Sequence, residues 1–192
     1  MPRIRKPHHL PRPFSRDEAE RLLALPLGPQ DRVLQALLFF TGLRVTPICT
    51  LKIGDLSFSP PAIRAVVKGN RTQVIEMHDV LRELLYNWTL EHTSLEPQAP
   101  LLRQRSGKPL TRRMVERTCH EWGSVAKVPT CLPHRFRHTF ATGLLQAGVD
   151  IRVIKEALGH ADLRSTQVYT EVTQEMVRGA IQRLDWGPGA RQ

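Results

Sequence analysis

Apolar positions divide the chain into short helices, interrupted once by a pair of strands. Ser15-Arg-Asp-Glu18 has capping-box spacing and opens a helix that runs through Leu25. After Pro26–Pro29 comes a strongly apolar helix from about Asp31 to Thr41, ended by Gly42 in the C′ role. A short helix is expected around Thr46–Leu51. The period then falls to two: Ala62–Val67 and Thr72–Met77 are β-branched runs, and Lys68-Gly-Asn-Arg71 between them is a hairpin turn.

Helical spacing returns at Asp79–Glu91. Pro97–Pro109 is a loop rich in Pro, Arg and Lys, and Thr111–Val125 is another helix. Pro133 takes the N1 position of a helix that reaches Ala147 and stops at Gly148; its stripe is Phe136, Phe140 and Leu144. Asp150 caps a short helix to Leu158, closed by Gly159, and two last helices cover Asp162–Thr170 and Thr173–Leu184. The pattern predicts an α+β fold, mainly α-helical, with one small antiparallel β-sheet.

Composition narrows the function. The 192 residues suit one domain with its own core, and 41% hydrophobic with 24% charged residues excludes disorder as the main state. The longest apolar run, Leu34 to Phe40 broken by Gln35, is too short to span a membrane. The basic N-terminus lacks the apolar stretch of a secretory signal. Three cysteines, Cys49, Cys119 and Cys131, show no disulfide rhythm and point to reduced thiols in a cytoplasmic protein. Lys and Arg number 28 against 18 Asp and Glu, a net charge of +10 that favours a polyanionic partner.

Leu132-Pro-His-Arg-Phe-Arg-His138 carries the most chemistry. His134 and Arg137, three apart near a helix N-terminus, share a face and could grip a phosphate. Alone, the segment suits a basic helix face in water slightly better. His134 and His138 have the i, i+4 spacing of a zinc helix. However, Arg135 stands where the glutamate of that pattern belongs, and Cys131 with His134 has no second pair. No metal or other cofactor is expected. His160 follows Gly159, Tyr169 lies nine residues later, Arg44 follows Thr41-Gly-Leu, and Lys68 sits at the hairpin tip; each taken singly is ordinary.

Together, Arg44, Lys68, His134, Arg137, His160 and Tyr169 resemble the catalytic set of the tyrosine recombinases, or phage integrase family, with a Xer-like or integron/phage integrase-like C-terminal part. The matching segments read Thr-Gly-Leu-Arg44, Val67-Lys-Gly-Asn-Arg71, His134-Arg-Phe-Arg137-His, Leu-Gly-His160 and Ser165-Thr-Gln-Val-Tyr169-Thr. The resemblance implies the family's catalytic-domain fold over residues 14–186, behind a basic arm or linker at 1–13 and ahead of a flexible tail at 187–192. It also implies a site-specific DNA recombinase that cleaves and rejoins strands through a 3′-phosphotyrosine link without metal or ATP. Tyr169 would be the nucleophile, His134 its proton acceptor and Lys68 the donor to the departing 5′-oxygen. The alternatives are a catalytically impaired DNA-binding relative and a type IB topoisomerase-like nicking-closing enzyme. One position departs from the family: three residues after Arg44, where an acidic residue is usual, stands Pro47.

The expected partner is double-stranded DNA, with a location in the cytoplasm on the nucleoid. Arg103, Arg105, Lys108, Arg112, Arg113 and Arg117 form a dense basic zone for phosphate contacts. The family resemblance further implies a homo-tetramer on DNA, docked through the C-terminal helix by Val172, Met176, Ile181 and Leu184. Packing of that helix on its own chain is the competing reading.

Overall fold

The computed structural model describes residues 12–67, 69–92, 96–159 and 174–184. Eight helices and a three-stranded sheet are found among them. In chain order they are α1 (Arg16–Leu23), α2 (Pro29–Phe40), α3 (Val45–Thr50), β1 (Leu56–Phe58), β2 (Pro61–Val67) and β3 (Arg71–Glu76). Then follow α4 (Asp79–Glu91), α5 (Arg112–Val125), α6 (Pro133–Gln146), α7 (Ile151–Ala157) and α8 (Gln174–Ile181). No helix among the described residues is long and apolar enough to cross a membrane.

The expected elements appear with shifted ends. The Ser15–Glu18 capping box is complete in both directions, but α1 stops at Leu23 because the chain must turn toward Pro26. Pro29, assigned above to the linker, is instead the first residue of α2, where its missing N–H costs nothing. The sheet gains a strand: β1 pairs antiparallel with β2, and β2 with β3, in the order β1-β2-β3. A three-residue strand carries too little alternation to be read in advance. The Gly69–Asn70 turn has positive φ at both residues, +82° and +57°. The loop before α5 is also more ordered than its composition suggests: Arg103 bridges Pro109, the Gln104 N–H donates to the Lys108 carbonyl at 2.8 Å, and Gly107 turns with φ +80°.

The core is built around α2 and α6, which pack on each other, with α4 packed on α2 as well. Phe39, Phe136 and Phe14 interlock edge to face, with Phe136 4.7 Å from Phe39 and 4.8 Å from Phe14 between ring centroids. Phe136, Phe140 and Leu144 are fully buried, as their spacing predicts, and each such side chain contributes about 1.5–3 kcal/mol. Ahead of α1 the chain is strapped onto α6. The Phe14 N–H donates to Thr139 Oγ1 at 2.8 Å, and Arg135 holds the carbonyls of Arg12 at 2.9 Å and Pro13 at 3.3 Å.

The last helix packs on its own chain, against α7 and β3. Val177, Ala180, Ile181 and Leu184 are buried there. Arg178 Nε pairs with the buried Glu76 at 2.8 Å, and the Gln182 amide donates to the Met77 carbonyl at 3.1 Å. In this single chain Ile181 and Leu184 follow the competing reading, packing on their own chain, since their apolar side chains gain more from the groove than from water. Met176 is 48% exposed, and Val172 lies outside the described residues. So do the helix expected at 162–170, all but Arg12 and Pro13 of the arm at 1–13, and the tail at 187–192.

Candidate active site

Thr-Gly-Leu-Arg44 forms a corner at the end of α2. The buried Thr41 hydroxyl donates to the Leu37 carbonyl at 2.7 Å and accepts from the Leu43 N–H at 3.1 Å, which fixes the turn. Gly42 has φ +62°, and a Cβ there would meet Phe140 Cδ1 at 2.6 Å, so both backbone angle and space demand glycine. Leu43 goes into the core and Arg44 comes out, exposed, as the N-cap of α3. Pro47 is buried in the first turn of α3, where a helix N–H has no carbonyl to reach.

Helix α6 faces this corner. Arg137 does not project beside His134 as helical spacing alone suggests: it is only 7% exposed, while His134 is open to solvent. Its Nη1 donates to the Gly42 carbonyl and its Nη2 to the Leu158 carbonyl, the latter at 3.0 Å, so one guanidinium ties the arginine corner to the end of α7. Burial, with the positive charge of Arg44 added, pulls the Arg137 pKa down to about 10, which leaves it charged at neutral pH. The pKa of His134 is also held below the ordinary imidazole value, first by partial burial and then by His138, Arg137 and Arg44. The His134 and His138 rings meet edge to face at 4.7 Å, and His138 Nε2 is buried without a hydrogen-bond partner among the described residues. A neutral imidazole beside two permanent cations can accept a proton where negative charge gathers.

Lys68, His160 and Tyr169 lie outside the described residues. The described chain beside Lys68 and just ahead of His160 comes together nonetheless. Gln73 of β3, on the Lys68 hairpin, donates from Nε2 to the Ala157 carbonyl at 3.1 Å. A Cβ on Gly159, which has φ +64°, would collide with that same side chain. The hairpin, the turn before His160, the arginine corner and the N-terminal half of α6 thus border one region.

The basic zone divides. Arg105, Lys108, Arg112, Arg113 and Arg117 are exposed and Arg103 half-buried. On α5, Arg112 pairs with Glu116 at 2.7 Å and Arg117 with Glu121 at 3.3 Å. Arg105, Lys108 and Arg113 make no ion pair among the described residues, so they keep their full charge for a polyanion.

Sequence reasoning missed Arg135 and Gln73. Arg135, considered above only as an obstacle to zinc, pairs with Glu18 at 2.8 Å and lies 4.2 Å over the Phe14 ring. The Glu18 Oε2 that accepts the Ser15 N–H in the capping box also accepts from Arg135, and nothing local hints at a partner 117 residues away. Cys131 is buried and its thiol is pushed up to about 12 by that burial. Among the described residues no three His, Cys, Asp or Glu side chains gather as metal ligands.

Comparison with known proteins shows the family and the fold. The model of the phage integrase family matches residues 13–176. Tyrosine recombinase XerA of Pyrococcus furiosus is 35% identical over 183 residues, covering 93% of this chain and 64% of the relative. The integrase of mycobacterium phage Brujita superposes with a TM-score of 0.79 at 31% identity, over 96% of this chain and 62% of that one. The XerH site-specific recombinase, solved in a post-cleavage complex with a palindromic difH substrate, gives 0.69 at 25% identity over 80% of this chain and 47% of that one. The chain spans a little under two thirds of the length of the first of these relatives.

Proposed function

The chain belongs to the phage integrase family, and from that premise we propose that residues 14–186 are the catalytic domain of a site-specific DNA recombinase, with 1–13 a basic arm or linker. It cuts and rejoins double-stranded DNA by transesterification, in the cytoplasm on the nucleoid. The observation that carries the reading is the meeting of Arg44, Arg137 and a deprotonation-prone His134 between the α2 corner and α6.

The Tyr169 oxygen attacks the scissile phosphorus while the phenol proton passes to His134. The bond from phosphorus to the 5′-oxygen breaks, and the Lys68 ammonium gives that oxygen its proton. The protein then holds a 3′-phosphotyrosine, and the products include a free 5′-hydroxyl. Arg44, Arg137 and His160 donate to the non-bridging oxygens, where charge builds at the pentacoordinate stage. Two guanidinium groups, that of Arg137 held by main-chain carbonyls, do the electrostatic work a metal ion would otherwise do. A 5′-hydroxyl from a second strand attacks the phosphotyrosine and reverses each transfer, so no ATP is consumed.

Arg103, Arg105, Lys108, Arg112, Arg113 and Arg117 hold the phosphate backbone outside the cleavage point. Exchange needs four subunits on two duplexes, and the proposal assigns their contacts to the C-terminal helix. Since Ile181 and Leu184 are buried against their own chain, that assembly requires α8 to leave its groove.

The test traps the covalent link. The full chain is incubated with duplexes of randomised sequence, nicked a few nucleotides downstream so that the released piece diffuses away. Wild type is expected to yield a denaturant-resistant adduct on duplexes sharing a sequence, and Tyr169→Phe to yield none. Retention of DNA without an adduct would mean a binding protein instead; adducts with no shared sequence would mean a relaxing enzyme.

A further inference from the structure

The last turn of a helix leaves carbonyls without intrahelical donors, and α7 ends at the edge of the candidate site. The Gly159 N–H takes Glu156 O at 2.8 Å, and side chains from elsewhere in the fold reach the same turn. Gln73 Nε2 donates to Ala157 O at 3.1 Å and reaches Glu156 O at 3.4 Å, and Arg137 Nη2 takes Leu158 O at 3.0 Å. The register Ala65↔Gln73 and Ile63↔Ile75 puts Gln73 on the inward face of the hairpin, in line with the core residues Ile63, Ala65 and Ile75. Gly159, with φ +64°, has no room for a Cβ because the Gln73 amide fills that space.

We propose that Gln73 is a positioning residue for Arg137: its amide clamps the Ala157–Gly159 main chain so that the Leu158 carbonyl holds the guanidinium in place. The inference rests on the recombinase reading for its functional consequence. Its physical logic is separate. Arg137 hangs between two carbonyls, Gly42 and Leu158. The first sits on a corner locked by Thr41, whereas the second sits on a short helix end whose described side-chain clamps are Arg137 itself and Gln73. Without Gln73 the Leu158 carbonyl loses its side-chain anchor and that hold on the guanidinium loosens, and small misplacements of a charge-stabilising group are costly in rate.

Two variants separate the donor from the bulk: Gln73→Glu keeps the shape but turns a carboxylate toward carbonyls, and Gln73→Met keeps the length without any donor. The first readout is the nitrogen-15 spectrum of the full chain, with the Arg137 guanidinium signal identified by its loss in Arg137→Lys. Wild type should show slow rotation about Nε–Cζ, and both variants should show faster rotation. The second readout is the single-turnover adduct rate on the randomised nicked duplexes. It should fall roughly tenfold or more in both variants, while retention of uncleaved duplex is unchanged. Wild-type rotation in both variants, or a wild-type adduct rate in Gln73→Met, overturns the proposal. If wild type forms no adduct, the recombinase reading falls, and the nitrogen-15 comparison still decides what Gln73 does.

Discussion

Arg135 and Arg137 leave α6 two residues apart and enter surroundings of opposite character. They are equally buried, 6% and 7% exposed, so both have lost most of their hydration. Arg135 meets Glu18 at 2.8 Å, the Pro129 carbonyl at 2.5 Å and the Phe14 ring, which together offset the cost of burying a cation. Arg137 is held by main-chain carbonyls and has a second cation, Arg44, near enough to draw its pKa down further. The first arrangement is what stability alone would select. The second accumulates like charge in a partly dry place, which becomes favourable when a phosphodiester arrives.

The contrast can be broken by exchanging the outcomes of two substitutions. Arg137→Ala should lower the single-turnover adduct rate by about 10²–10³, and change the melting temperature less than Arg135→Ala does. Arg135→Ala strands the Glu18 carboxylate and should cost about 3 kcal/mol. At about 2–4 °C per kcal/mol for a chain of this size, calorimetry would register the loss clearly, with the adduct rate per folded molecule near wild type. The opposite pattern would mean that the structural and functional arginines have been confused.

A smaller effect sharpens the same rule at the surface. Arg113→Ala should reduce the slope of log binding against log salt by about 0.9, one phosphate contact, when measured with any plain duplex. Arg112→Ala should reduce it less, because Glu116 already neutralises part of that charge.

The smallest effect is on pH. His134 is held below its usual 6.5, so it is neutral at pH 7, and the adduct rate should stay flat down to that value and fall only below it. His138→Gln removes a neighbour that helps hold the His134 pKa down, and should move the acid limb to higher pH. Stability follows the same sign. The unfolded chain holds this proton more tightly than the folded one, so stability present above pH 6.5 erodes as the pH drops past it.

Helix by helix, the fold was largely legible because its signals are local. A capping box at Ser15, glycine after Thr41, proline at 133 and the Phe136–Phe140–Leu144 stripe each act within a turn or two. The family motifs likewise placed Arg44, His134 and Arg137, and the structure brings these to one region. What escaped the sequence depends on distant partners. Whether an arginine on α6 meets a carboxylate or another arginine is settled by α1 and α3, over 90 residues away, and nothing in His-Arg-Phe-Arg-His distinguishes the two. Gln73 was invisible for the same reason: a lone glutamine in a strand becomes informative only once the end of α7 lies against it. The depth at which Arg137 sits was not legible because spacing gives the face of a helix but not the depth of the groove facing it.

The strap of residues 12–14 has a mechanical consequence. Phe14 and the carbonyls of Arg12 and Pro13 are fastened directly to Thr139 and Arg135, on either side of Arg137 in sequence, with Arg135 the residue next to His134. A pull on the chain ahead of Arg12 is therefore delivered straight to α6, bypassing α1, and tension there becomes a displacement of the helix that bears the proton acceptor.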